Sequence, residues 1–250
     1  MIYLIIFLIA LLIGSFLNVC IYRIPLGQSV SYPPSHCTSC GRDLKPVDLV
    51  PVLSYLFCGG RCRYCGEKIS LQYPVVELLN TILWTLLFIK YHWSVIFVKY
   101  AVLASLLIVI SFIDYQHQII PDSLIKFGLI TGAIINLLYN IKENYIQGII
   151  GFLVGGGIFF IIAVVTNGAM GGGDIKLMAV LGFCLGCKQI LLITFLAFVT
   201  GAIVSVVLIA LQIKGRKDYI PFGPFISISA FIAMYCGSEI INWYFGNIFV

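Results

Sequence analysis

Two aspartates stand out in a chain where charge is scarce. Asp174 follows three glycines in "NGAMGGGDIKLM" (167–178), and Asp114 closes an apolar run in "SFIDYQHQIIPD" (111–122). An ionisable group inside a bilayer is costly, and each glycine forfeits roughly 1 kcal/mol of helix stability against alanine. A chemical role explains the combination. Two carboxylates brought together in a poorly solvated site cannot both ionise easily, so they share a proton. The ionised one takes a proton from water and the protonated one polarises a carbonyl, which is aspartyl proteolysis run by one acid–base pair. Gly171, Gly172 and Gly173 would let an extended substrate backbone lie against the loop without a Cβ clash and would offer it free N–H groups. Asp122, behind Pro121 and before Ser123, reads as a helix N-cap, and capping is a second reading of Asp174.

The cysteines suggest a second kind of chemistry. "CTSC" (Cys37, Cys40) and "CRYC" (Cys62, Cys65) are C-x-x-C pairs separated by 21 residues, close to zinc-ribbon spacing. Each pair supplies two thiolates from one turn, and four close a tetrahedral structural site. A segment of about fifty residues with few aliphatics cannot build a core, so a zinc staple has a physical reason. Disulfides are the competing reading, disfavoured in a reducing compartment. Cys58 is a spare. Cys184 and Cys187 form a third C-x-x-C inside an apolar run, where cysteine is a small filler. His36 reads as solvated, and His92 and His117 as interfacial.

These residues must be held by membrane helices. The chain has 250 residues, 61% hydrophobic and 10% charged, with mean hydropathy +1.07. That composition defines an all-α integral membrane protein. The N-terminus lacks a basic region and a cleavage site, so it is expected to be a retained first span. Windows long enough to cross a ~30 Å core fall at 2–22, 73–90, 95–113, 123–140, 147–166, 176–187, 190–212 and 225–246, about eight transmembrane helices. Lys188 and Gln189 separate the sixth from the seventh.

With the N-terminus outside, the cytoplasmic side collects Arg23, Arg42, Lys45, Arg61, Arg63, Lys68, Lys126, Lys176, Lys214, Arg216 and Lys217. The outer side keeps Lys90, Lys99, Lys142 and Lys188, so the positive-inside rule favours eight spans. The domains are then a first helix (1–22), a cytoplasmic zinc-ribbon-like insertion (23–72) and a helical bundle (73–250). The short sixth span, about 16 Å from Lys176 to Gly186, draws Asp174 below the surface, a depth where non-helical backbone must line protein or water. "GLITG" (128–132), "GFLVG" (151–155) and "GFCLG" (182–186) repeat glycine at i, i+4, as close helix packing requires.

Asp43, Asp48 and Glu67 are explained by solvation. Glu143, Asp218 and Glu239 show no partner signal, and Glu77 is expected to pair with a basic residue of the insertion. No basic run carries interleaved aromatics, so the surplus of lysine and arginine is a topology signal and no nucleic acid is expected as a partner.

At these residues the chain resembles the type IV prepilin peptidases, membrane aspartyl proteases of the GxGD type. "DYQHQIIPD" matches the family's first aspartate motif and "GGGDIK" its second, which carries the catalytic roles onto Asp114 and Asp174 and matches Lys176 to the motif's lysine at the substrate side. "GSFLNVCIYRIP", the two cysteine pairs, "DLVPVLSYL", "GRCRYCGEKIS" and "YPVVE" resemble the family's N-terminal region. The resemblance implies cleavage of leaders from prepilins and pseudopilins at the cytoplasmic face of a bacterial plasma (inner) membrane. It also implies N-methylation of the new terminus from S-adenosylmethionine, for which "GFLVGGG" (151–157), inside a span, is a poor candidate site. An ion-coupled transporter using the two aspartates as ligands is the alternative. It predicts repeated halves, which are not evident, and leaves the cysteines unexplained.

Overall fold

The structure, a computed structural model, describes residues 1–138, 141–168, 170–215 and 219–248; side chains at 141–144 and 245–248 lie outside the description. Arg216, Lys217 and Asp218, and the side chains of Lys142 and Glu143, therefore fall outside the described residues. The long helices are α1 (Ile2–Arg23), α3 (Gln72–Tyr91), α4 (Val95–His117), α5 (Asp122–Leu138), α6 (Ile141–Val165), α7 (Gly172–Leu185), α8 (Cys187–Ala210) and α9 (Gly223–Ile248). The short α2 (Leu53–Phe57) and a 3₁₀ turn (Pro46–Leu49) lie in the Cys-rich insertion. Among the described residues six helices (α1, α3, α4, α6, α8, α9) are long and apolar enough to cross a membrane. With α5 and α7 the long helices follow the eight expected windows, and the protein is a multi-pass membrane protein.

The chain divides into two compact units, Met1–Val109 and Ile110–Val250. In the first, α1 packs on α3 so closely that a Cβ at Gly14 would sit 2.7 Å from Glu77 Cα. A buried polar relay joins three helices there. Asn80 donates to the Ala10 carbonyl at 2.7 Å, Ser105 Oγ donates to Asn80 Oδ1 at 2.7 Å, and Trp84 Nε1 donates to Ser105 Oγ at 2.9 Å. Such bonds tie helices where lipid offers no hydrophobic drive for association. Arg23 ends α1 buried, its guanidinium donating to the carbonyls of Ser29 (3.0 Å) and Pro34 (3.3 Å).

In the second unit α7 is the central element, with Leu177, Met178, Ala179, Val180 and Leu181 all buried. A glycine seam seats it on α6. A Cβ at Gly148 would lie 2.7 Å from the Phe183 carbonyl oxygen and one at Gly155 2.5 Å from that of Met178, while Gly151 and Gly182 face each other with no room for either Cβ. From α5, Gly132 leaves its space to Cys184 Sγ, whose S–H reaches the Gly128 carbonyl at 3.8 Å. Gly132, Gly151, Gly155, Gly182 and Cys184 thus serve helix packing, as expected, whereas Gly186 ends α7. The break between the sixth and seventh windows falls at Gly186 rather than at Lys188 and Gln189. Gly186 takes φ +85°, open to glycine without steric cost, and its N–H still bonds the Gly182 carbonyl at 2.8 Å.

Candidate active site

Asp114 lies in the last turn of α4. That helix ends one turn later because Gln118 turns left-handed (φ +56°) and its N–H bonds the Asp114 carbonyl at 2.8 Å. Asp174 is the third residue of α7, whose N-cap is Gly171. Both carboxylates are buried, at 3% and 4% relative exposure, and Asp174 lies within electrostatic reach of Asp114. Each also meets a helix N-terminus, where free N–H groups and the helix dipole favour an acid. The Gly223 N–H, first of α9, donates to Asp114 Oδ2 at 2.8 Å. The Asp174 carboxylate turns back onto Gly171, whose backbone hydrogen-bonds it, in the manner of the acidic half of a capping box. The arrangement can hold one proton between two acids and present it to a bound carbonyl.

The three glycines divide their labour. A Cβ at Gly171 would lie 3.0 Å from Asp174 Oδ2, and one at Gly173 would lie 2.9 Å from Ile120 Cβ. Of the three, Gly172 alone faces open space. Two of the three expected to make room for substrate therefore make room for the protein's own acid and its own Ile120.

Lys176 Nζ and Asp122 Oδ1 form an exposed ion pair at 2.7 Å. Asp122 is the first residue of α5 rather than the residue before it, so its observed partner is a lysine, not the cap expected. Two neighbours of the acids escaped the reading of the sequence. Gly223 contributes only backbone; its one signal was "PFGP", two prolines around a glycine. Tyr219 sits within electrostatic reach of both aspartates, and its hydroxyl is pushed above the ordinary tyrosine range by partial burial and then by the charges of Asp174 and Asp114.

In the insertion, the thiols of Cys37, Cys40, Cys62 and Cys65 gather within 4.8 Å of one another. Cys37 Sγ and Cys65 Sγ are 3.9 Å apart, near the ~3.8 Å edge of a tetrahedron with 2.3 Å zinc–sulfur bonds. The two halves repeat one knuckle. Cys37 N–H bonds the Arg42 carbonyl and Gly41 N–H the Cys37 carbonyl; Cys62 N–H bonds the Glu67 carbonyl and Gly66 N–H the Cys62 carbonyl, all at 2.8–2.9 Å. Gly41 (φ +68°) and Gly66 (φ +74°) supply the left-handed turn in each. Backbone amides of Cys40 and Ser39 lower the Cys37 thiol toward the thiolate form that binds metal, while burial and the neighbouring sulfurs raise that of Cys65 in the same cluster. A four-thiolate metal site fits these residues. Cys58 stands outside the cluster and takes a bond from Arg63 at 3.8 Å.

Two acids of this unit have partners that the sequence did not show. Asp48 is not simply solvated: it accepts from Tyr64 Oη (2.7 Å) and the Lys45 N–H (3.1 Å) and pairs with Arg63 Nε (3.1 Å). These contacts hold its carboxyl below the usual range, the Tyr64 bond most of all. Glu77 is buried, and its Oε2 accepts from the backbone N–H of Val52 at 2.7 Å instead of pairing with a basic side chain. Val52 has φ +61°, unusual for a β-branched residue.

Comparison with known proteins agrees over nearly the whole chain. Residues 8–91 match the bacterial peptidase A24 N-terminal domain, and residues 101–206 match the type IV leader peptidase family. The chain is 35% identical to a prepilin leader peptidase/N-methyltransferase of Bacillus subtilis over 96% of each protein. It is 34% identical to one of Legionella pneumophila over 98% of this chain and 94% of that protein. It is 32% identical to one of Pseudomonas aeruginosa over 95% and 91%. No solved structure matches it. The chain belongs to the type IV leader peptidase family. The transporter alternative finds no support.

Proposed function

We propose that this protein cleaves the leader from type IV prepilins and pseudopilins with Asp114 and Asp174 as its acid–base pair. The observation that carries the reading is the burial of two carboxylates beside two helix N-termini, Asp174 within electrostatic reach of Asp114, in a chain of the leader peptidase family. One carboxylate takes a proton from the attacking water while the other donates its proton to the scissile carbonyl. The same pair then returns a proton to the departing amine. Burial keeps bulk water from screening these charges. Gly172 is the glycine with space for a substrate backbone, and Lys176 presents its ammonium at the edge of the same turn.

The bias of the basic residues supports an orientation in which the acids face the cytoplasm of a bacterial plasma (inner) membrane, within lipid. Zinc is held by Cys37, Cys40, Cys62 and Cys65 as a structural staple. The names of the relatives support a second activity, N-methylation of the new amino terminus with S-adenosylmethionine as donor. No residue here is assigned to that donor, and "GFLVGGG" is helix, three of its glycines (Gly151, Gly155 and Gly156) pressed against α7. The test is incubation of the purified full-length protein with a prepilin and S-adenosylmethionine, read by mass spectrometry. Loss of the leader mass and a gain of one methyl are expected. An intact prepilin would sink the peptidase reading, and a cleaved but unmethylated product would sink the second activity alone.

A further inference from the structure

We infer that Gly223 is a positioning residue for Asp114, and that the turn Pro221-Phe222-Gly223-Pro224 is a clamp that assigns the two oxygens of that carboxylate different tasks. The inference rests on Asp114 being one of the two proteolytic acids.

Three observations converge on this turn. The Gly223 N–H donates to Asp114 Oδ2 at 2.8 Å, across 109 residues of sequence and out of reach of solvent. The position has no room for a side chain, because a Cβ there would lie 2.7 Å from Oδ2 and 3.1 Å from Asp114 Cβ. The preceding residue is anchored on three sides. Phe222 lies 6.0 Å from Phe159 of α6, 5.4 Å from Phe198 of α8 and 6.0 Å from Phe225 of α9, ring centre to ring centre. Phe159 itself is fully buried and stacks on Phe198 at 5.6 Å. Gly201 of α8 presses against Phe222 and Phe225 with no more than 3.4 Å for an added Cβ. The aromatic box fixes Phe222, Phe222 fixes the next amide, and that amide fixes Asp114.

The chemical consequence follows from donor and acceptor roles. The N–H bonds a charged carboxylate oxygen more strongly than a protonated one, so the Gly223 amide disfavours protonation at Oδ2. The shared proton is thereby steered to Asp114 Oδ1 or to Asp174. The clamp therefore turns one oxygen toward the reaction and removes the other from it. Preorganisation of this kind matters because a displacement of about 1 Å in a catalytic group can cost roughly 10²-fold in rate.

The test uses the full-length protein with a prepilin carrying its leader. Gly223→Ala is expected to lower kcat by roughly 10²-fold, to leave KM nearly unchanged and to move the pH profile of kcat. Gly157→Ala, whose added methyl meets open space, should match the wild type. A Gly223→Ala enzyme with wild-type kcat and pH profile would overturn the inference. If that variant does not fold, the wild type still decides. With ¹³C-carbonyl phenylalanine and ¹⁵N-glycine, only Gly128, Gly223 and Gly246 follow a labelled phenylalanine. The Gly223 amide shift should titrate with pH in the wild type and lose that titration in Asp114→Asn. A pH-independent Gly223 amide would overturn the inference. Cleavage by Asp114→Ala would instead overturn the proteolytic reading on which it rests, so the two failures are distinct.

Discussion

Lys176 Nζ and Asp122 Oδ1 meet at 2.7 Å across 54 residues of sequence. The pair joins the helix that carries Asp174 to the first residue of α5, the helix after the one that carries Asp114. Both partners are exposed, so the pair adds little to stability, and its expected effect is on the alignment of the two acids. K176M and D122N should each lower the cleavage rate by no more than about tenfold, and the double variant should be no slower than the slower single. Steady-state cleavage by the three variants tests this. Losses that multiply in the double variant would show two independent roles.

Asp114→Asn and Asp174→Asn preserve side-chain volume while removing the proton chemistry. Each should cut leader cleavage by at least about 10²-fold with membrane insertion and thermal stability retained. Cleavage assays on both variants, reconstituted in lipid, provide the check. An active variant of either kind would dissolve the proposed pair.

The glycines before Asp174 should not be equivalent. Gly172→Ala enters open space in the first turn of a helix, so the fold should be unaffected or stabilised by up to ~1 kcal/mol. KM for the prepilin should rise, because the methyl occupies the space proposed for the substrate backbone. Gly171→Ala pushes on the Asp174 carboxylate and Gly173→Ala on Ile120, and both should depress kcat. Equal kcat and KM across the three variants would contradict the geometry.

Cys37→Ser and Cys62→Ser should each lose the bound zinc and lower the unfolding temperature by at least about 5 °C. Cys58→Ser should keep both. Metal content per chain and thermal unfolding read the difference. Zinc lost in the Cys58 variant, or absent from the wild type, would refute the four-thiolate site.

Glu77→Ala leaves the Val52 N–H without its acceptor and should destabilise the protein by about 1–3 kcal/mol. Glu77→Gln, which keeps an acceptor oxygen, should cost less. Denaturant unfolding of the two variants decides, and a larger loss in Glu77→Gln would show that charge, not the bond to Val52, is what the site needs.

Much of this architecture can be read from the chain because a membrane reduces the vocabulary. A span must be apolar for about 20 residues, so the windows at 2–22 and 95–113 resolve into α1 and most of α4 with nearly the same limits. The thiol cluster was legible because each C-x-x-C pair is a local turn. Contacts made by backbone were not. Gly223 reaches Asp114 through an amide that every residue but proline possesses, and no spacing rule links positions 109 residues apart. Glu77 eluded the reading for the same reason, since its partner is the N–H of Val52. Asp48 looked like an ordinary surface acid, because nothing in a sequence reports that Tyr64 and Arg63 close on it from the second knuckle. Gly171 and Gly173 were noticed for the right property, absence of a side chain, while the neighbours filling that space became visible only in three dimensions.

The glycine seam of α6 and α7 works as a ruler. Met178 and Gly182 dock at fixed points on α6, against Gly155 and Gly151. Asp174 stands about one helical turn before Met178, so its position is set by counting back from that dock. One residue inserted between Asp174 and Met178 would turn the acid by about 100° around the helix and lift it by about 1.5 Å. The carboxylate would then point away from Asp114, although every side chain of the site was still present. Length, not only composition, is therefore part of what specifies this enzyme, and on the proposed role of the two aspartates a single-codon insertion between Asp174 and Met178 is expected to lower cleavage as far as loss of either acid.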